Sequence, residues 1–347
     1  MKLFNMGRSL ALALALAMPL SVPAIAQDVE IRYSNWLPNG YFLFEKVIKP
    51  WMAEVEKVTE GRVTFKLTPK PVGTVLASYD TIADGLADAS AIVPAYTVGR
   101  FIPNDGIELP WLGDDMEKRS VALWNAYENF LAPAGVFKEI KVIAMFPTNT
   151  AHIATTGKGI EKIEDFKGLK LRSPTQATTQ AMELLGIVPV LKPISEVYEM
   201  AAGGIIDGVA TNADSVVGFK LQDVMKNMIF LEGGLAATTT MVGMNKATWN
   251  RISEKDRQAI DAISGMAFGK AVAAANHANQ EWALGEMEKN GIKVVKASPE
   301  LMQQIRDVTA PVRTAWIEQA KAAGFTQAEA MLEAFQKDYD ATLSSPK

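Results

Sequence analysis

The chain has 347 residues, 35 Lys and Arg against 39 Asp and Glu, a net charge of −4 and no cysteine. The missing thiols exclude disulfides, thiolate metal centres and cysteine nucleophiles, and the acidic balance argues against a nucleic-acid surface. Two histidines, His152 and His277, are too few for a multi-histidine metal site, so neither a metal nor a cofactor is expected.

The N-terminus predicts an export signal. Lys2 and Arg8 form a positive start, Leu10 to Met18 is apolar, Pro19 and Pro23 break it, and Ala24-Ile25-Ala26 gives a small-x-small cleavage pattern. The apolar run falls short of the ~20 residues needed to span a bilayer. Cleavage after Ala26 leaves 33 basic against 39 acidic residues, a formal charge of −6. No cysteine stands at the cleavage site to take a lipid. A soluble periplasmic protein of a Gram-negative type of cell is therefore expected, and about 320 mature residues suffice for two domains.

Strand and helix signals then alternate. Val29, Ile31 and Tyr33 alternate with polar residues as in a strand, and Trp36 to Gly40 is turn chemistry. Phe44 to Val58 has helical spacing, with Pro50 a kink and Gly61 suited to the end. A strand at Val63–Leu67, a helix at Tyr79–Asp88, a strand at Ala89–Val93, a helix at Met116–Leu131 and a strand at Lys141–Phe146 complete a first block. A second block restarts near Ala151. It has strands at His152–Thr155, Leu169–Arg172, Val188–Leu191 and Ile206–Ala210, and helices at Thr175–Leu185, from a Ser195 cap to Ala202, and from about Ala213. Such alternation predicts an α/β fold with largely parallel sheets in two lobes.

The lobes need not be consecutive. Thr238 to Met244 is a late strand, and a long helical stretch from Lys246 to Lys289, with Ser253 an internal cap, is long enough to brace both lobes. Ser298 and Pro299 open a helical tail. The expected division is residues 27–149 with 238–276 in the first lobe and 150–237 with 277–347 in the second.

No GxSxG, P-loop or GxGxxG pattern is present. Asp114-Asp115 reads as a helix cap rather than an acid–base pair. Arg172 closes a strand just before a helix begins. In α/β sheets ligands bind beyond strand C-termini, and an arginine there holds a carboxylate with two parallel hydrogen bonds. A structural ion pair is the alternative. His152, Thr211 and Asn212 stand at comparable positions and offer hydrogen bonds, or serve as loop caps. Trp36 and Tyr96 occupy corresponding loops of the first block, as pocket walls or as core.

The segment FKGLKLRSPTQATTQAMELLGIVPVLKPISEVYEMAAGGIIDGVATN resembles the DctP-type solute-binding proteins of TRAP (tripartite ATP-independent periplasmic) transporters. Lys167 to Gly208 is its most specific part. Gly61-Arg62-Val63, Asp84-Gly85 with Asp88, and Leu109-Pro110 support it. The resemblance implies two α/β lobes that close like a flytrap on a small organic acid. It places the family's carboxylate-binding arginine on Arg172, its second cationic position on His152, and its asparagine after the Asp-Gly turn on Thr211, with Asn212 next to it. Val93 stands where an acidic residue is usual. These departures argue against sialic acid, and Trp36 and Tyr96 suggest a flatter, more apolar pocket. The expected function is binding of a carboxylate and its delivery to TRAP permease subunits in the membrane, by a monomer, without bond chemistry. Dicarboxylates (C4-dicarboxylates among them), hydroxy or keto acids, aromatic acids and sulfonates remain open as ligands. A sensory receptor of the same fold, or a secreted enzyme acting on an organic acid, is the competing reading.

Overall fold

The computed structural model describes residues 28–343; the expected signal peptide, Met1–Ala26, lies outside the described residues. Among the described residues the strands are β1 (Val29–Ser34), β2 (Val63–Leu67), β3 (Ala89–Ile92), β4 (Ile140–Pro147), β5 (His152–Thr155), β6 (Lys170–Ser173), β7 (Val188–Leu191), β8 (Gly208–Thr211), β9 (Asn227–Phe230), β10 (Thr239–Asn245) and β11 (Lys293–Lys296). They form two sheets, in the orders β2-β1-β3-β10-β4 and β11-β9-β5-β8-β6-β7. Helices pack against both, giving two α/β lobes.

The expectation of largely parallel sheets needs qualifying. β1, β2 and β3 are parallel, as are β6, β7 and β8. β10 and β5, however, run antiparallel to both of their neighbours. The cause is the interlobe connection. The chain leaves the first sheet by β4 and returns by β10, and it enters the second sheet by β5 and leaves by β9. Exit and return at one edge must run in opposite directions.

The two connecting segments bond to each other. The Thr148 N–H donates to Thr238 O (2.8 Å), Ala151 N–H to Ala236 O (2.7 Å) and Leu235 N–H to Ala151 O (2.9 Å). The late helical stretch is three helices, Lys246–Arg251, Glu254–Ala262 and Gly265–Lys289. Ser253 caps the second, its Oγ accepting from Asp256 N at 3.1 Å. The third bridges the lobes: Phe268 and Val272 lie in the first lobe's core, Ala283 and Met287 in the second's.

The tail does not stay with one lobe. Pro299–Thr309 packs beside Gln176–Leu184 of the second lobe. Beyond it, Trp316 is buried against Gly106, where any Cβ would overlap the indole, and its Nε1–H donates to Ile102 O at 2.8 Å. Asn125 bonds Asp338, and the Asp115 N–H donates to the Tyr339 hydroxyl. The end of the segment 277–347, expected with the second lobe, therefore folds back on the first, because its apolar face has a buried partner there.

Three local expectations also shift. The helix at Phe44–Val58 is a wider π turn over Leu43–Ile48 that passes into α-helix at Lys49, and Pro50, which has no N–H to donate, sits at that junction. The helix from Tyr79 stops at Ala83, with Gly85 at φ +72 turning the chain. Ser195 does not cap its helix; Pro193 leads into a 3₁₀ turn, Ile194–Glu196, instead.

Two residues marked by the family pattern brace the first lobe. Asp88 accepts from Arg32 Nε (2.8 Å) and Thr248 Oγ1 (2.7 Å), and Arg62 pairs with buried Asp256 at 2.7 Å.

Glu108 is fully buried behind the first residue of β10, its Oε1 accepting from Thr239 N at 2.7 Å. Burial pushes its carboxyl up to about 8, with Asp105 beside it. Arg119, also buried, bonds the carbonyls of Gly113 and Ile107. The folded state thus holds the Glu108 proton through a range where the unfolded chain, with a pKa of about 4.3, has lost it. Stability from this group is full below that value and falls as pH rises towards 8. Glu108→Gln, which keeps the shape of the neutral acid, is expected to melt with wild type at pH 5 and at a higher temperature than wild type at pH 9, read by calorimetry. A Gln variant that melts lower at pH 9 contradicts this.

Candidate functional site

The cavity between the lobes is lined by Trp36, Tyr41, Leu43, Val93 and Tyr96 from the first lobe. Arg172, Pro174, Ile194, Ala210, Thr211, Asn212, Ser215 and Phe219 line it from the second, and Thr148, Asn149, Ala151, Thr238 and Thr240 from the connecting segments. A second, roomier cavity of ≈ 230 Å³ lies on the outer edge of the second lobe, between β9, β11 and Leu301; none of the expected site residues lines it. The cleft cavity is the tighter because the lobes are tied across it.

Arg172 is its centre. β6 is paired on both sides, with β7 and β8, which holds the arginine at the strand's C-terminal part. The side chain is 2% exposed. Its Nε–H donates to Lys192 O (2.7 Å), one Nη1–H to Ala210 O (3.2 Å) and one Nη2–H to the Tyr96 hydroxyl (3.3 Å). Among the described residues no Asp or Glu pairs with it, and burial pulls its pKa down. A guanidinium has five N–H donors. Three are used, which leaves one on each terminal nitrogen, the pair a carboxylate takes in a two-pronged contact. After β6, Thr175 Oγ1 caps the next helix by accepting from Thr178 N at 3.1 Å.

Tyr96 reaches across from the first lobe. Its hydroxyl accepts from Arg172 and from Ile194 N (3.2 Å). Both lone pairs are then taken, so the O–H proton is left to donate. Trp36 donates its Nε1–H to Ala91 O at 2.8 Å, which fixes the indole as a wall between the two lobes' cores.

Thr211 ends β8 and lines the cavity. Asn212 also lines it, but its side chain is engaged: Oδ1 accepts from Ser215 N (3.0 Å) and Nδ2 donates to Asn149 O (3.1 Å). His152 is the exception and corrects the sequence expectation of a second cationic position. It pairs with Thr211 across the β5–β8 ladder, yet it is absent from the cavity wall. Its ring packs at a tilt against Phe230 with centroids 4.1 Å apart, and Nδ1 accepts from Leu231 N at 3.2 Å. Burial pushes its pKa down to about 4, so it is a neutral, structural imidazole at pH 7. Arg172 is therefore the single cation lining the cavity.

A polar network missed from sequence backs the cavity wall at Tyr41, Asn149 and Ser215. The Tyr41 hydroxyl donates to Asp214 Oδ2 (3.2 Å), Asn149 Nδ2 donates to Asp214 Oδ1 and to Asn276 Oδ1 (both 2.8 Å), and Ser215 Oγ lies 3.5 Å from the Tyr41 hydroxyl. It joins the first lobe, a connecting segment, the second lobe and the bridging helix. Gly218 lets Tyr41 approach, since a Cβ there would overlap the ring, and Phe219 packs on Tyr41 at 5.3 Å. The only sequence signal was Tyr41 following the Pro38-Asn39-Gly40 turn.

Among the described residues no helix is long and apolar enough to cross a membrane, and no group of three or more His, Cys, Asp or Glu could hold a metal ion.

Comparison with known proteins follows the same lines. The chain is 32% identical to a TRAP periplasmic solute-binding protein from Bordetella bronchiseptica solved with bound (R)- and (S)-mandelate. The alignment covers 90% of this chain and 99% of that one, with a TM-score of 0.85. It is 25% identical to a TRAP solute-binding protein from Rhodoferax ferrireducens T118 in complex with copurified benzoate, over 90% and 98% of the two chains, again with a TM-score of 0.85. Among curated proteins, TsaT of Comamonas testosteroni, described as an outer membrane transporter protein, is 26% identical over 320 residues, 92% of this chain and 94% of that protein. The family model for bacterial extracellular solute-binding protein family 7 (DctP) matches residues 33–319. With that match over most of the chain, on two lobes with an arginine-centred cleft, this chain belongs to the DctP family, the solute-binding proteins of TRAP transporters.

Proposed function

We propose that the protein is a periplasmic receptor that binds a small aromatic monocarboxylate at Arg172 and delivers it to TRAP permease subunits. The observation behind this reading is a buried guanidinium with no protein counter-ion and two free N–H groups, in a cavity walled by Trp36, Tyr41, Tyr96 and Phe219. Leaving a cation desolvated is costly. An incoming carboxylate removes that cost and adds two charge-assisted hydrogen bonds. The rings offer apolar area to a planar ligand body. A single cation suits one carboxylate, which disfavours C4-dicarboxylates. The mandelate and benzoate bound by the two solved relatives are ligands of this kind.

The mechanism requires only binding. The ligand's acid group meets Arg172 on the second lobe while its ring meets Trp36 and Tyr96 on the first. It thus contacts both lobes only when they are together and shifts the population towards the closed form, the form to be read by the permease. No nucleophile and base are needed.

The test is a melting screen of organic acids against the mature protein, since a ligand of the folded state alone raises Tm. Benzoate, mandelate and hydroxybenzoates are expected to raise it, and succinate and fumarate to leave it unchanged; the reverse pattern refutes the reading. Arg172→Ala is expected to lose about 3–5 kcal/mol of binding while still melting cooperatively. Unchanged calorimetric affinity in that variant would remove Arg172 from the site. Tyr96→Phe takes away one partner of Arg172 and one donor to the ligand, and is expected to weaken binding about tenfold, the scale of one hydrogen bond to a charged group. An affinity within twofold of wild type would show that the hydroxyl is structural only.

A further inference from the structure

We infer that Asp214 determines specificity: its buried negative charge, one hydrogen bond behind the cavity wall at Tyr41 and Asn149, excludes acids with a second carboxylate. The inference rests on the reading of the Arg172 cavity as a carboxylate site. Asp214 is 4% exposed and has no cationic partner. Its Oδ2 accepts from the Tyr41 hydroxyl and its Oδ1 from the Asn149 amide. Burial raises the pKa of this carboxyl above its usual value, and the hydrogen bonds that Tyr41 and Asn149 donate to its two oxygens oppose that rise and favour the ionised form.

The charge also decides what the wall can offer. Tyr41 and Asn149 line the cavity, but their donors point away from it. The Tyr41 proton is spent on Asp214, which leaves oxygen lone pairs at the wall. Both Asn149 amide protons are spent, on Asp214 and on Asn276. The Asn212 amide and the Thr148 hydroxyl are held by Asn149 O. A second ligand carboxylate at this wall would meet neutral hydroxyls of Ser215 and the lining threonines, no cation and a like charge one hydrogen bond behind, an arrangement that works by repulsion. A neutral ring or a hydroxyl meets no such penalty, because a hydroxyl can donate to the Tyr41 oxygen.

The experiment compares isophthalate with 3-carbamoylbenzoate, which differ only in a carboxylate against an amide, by calorimetry on the mature protein, with benzoate as reference. Wild type is expected to prefer the amide by about a hundredfold, and Asp214→Asn to shrink that ratio at least tenfold, about 1.4 kcal/mol. Tyr41→Phe breaks the same hydrogen bond but keeps the charge, and is expected to leave the ratio within about threefold of wild type. If Asp214→Asn does not fold, Asp214→Ser removes the charge equally. An unchanged ratio without the Asp214 charge, or a Tyr41→Phe variant that relaxes as far, overturns the inference. So does a wild type that binds benzoate but neither larger acid, since size then excludes them. A wild type that binds none of the three acids refutes the carboxylate reading itself, and this inference with it.

Discussion

The structure turns on a cation placed in an apolar cleft without a counter-ion. Arg172 is held by two backbone carbonyls and one hydroxyl, none of them charged. Taken alone this is an unfavourable arrangement, since neutral acceptors repay only part of the lost hydration. It makes sense where the missing charge arrives with a ligand. The same economy explains why Tyr96 comes from the opposite lobe. Its hydroxyl, from the first lobe, completes the shell of an arginine on the second, so this contact joins the two lobes at the cavity.

Chain topology supports this arrangement. Two connecting segments bonded to each other, and a helix whose ends lie in different cores, tie the two lobes together. The tail folding back on the first lobe adds a further link between them. The cavity wall at Tyr41 and Asn149 is fixed by Asp214, whose partners come from the first lobe and a connecting segment. Arg172 in the cavity wall and Asp214 behind it are both buried and without an ion-pair partner among the described residues.

What could be read from the sequence follows from locality. Arg172 was legible because strand, turn and helix succeed one another within a few residues, and because the surrounding motif is specific to the family. Trp36, Tyr96, Thr211 and Asn212 were placed at the cleft by the same strand-end logic. His152 satisfied that logic too and is still absent from the cavity wall, its imidazole engaged with Phe230 and the Leu231 N–H, contacts that a strand-end position does not foretell. The Tyr41–Asn149–Asp214–Asn276 network was not legible: its members lie 65 to 173 residues apart in the bonded pairs, and no local pattern marks them. The antiparallel strands β5 and β10 were missed for a related reason, since strand direction is set by where the chain crosses between lobes.

The central claim is that Arg172 receives a ligand carboxylate. The most direct measurement is a crystal structure of the mature protein with benzoate. The account predicts both carboxylate oxygens within hydrogen-bond distance of Nη1 and Nη2 of Arg172, with the Tyr96 hydroxyl donating to one of them and the ring against Trp36 and Tyr96. A benzoate seated elsewhere, or an Arg172 that pairs with a protein carboxylate while the ligand is bound, would contradict it.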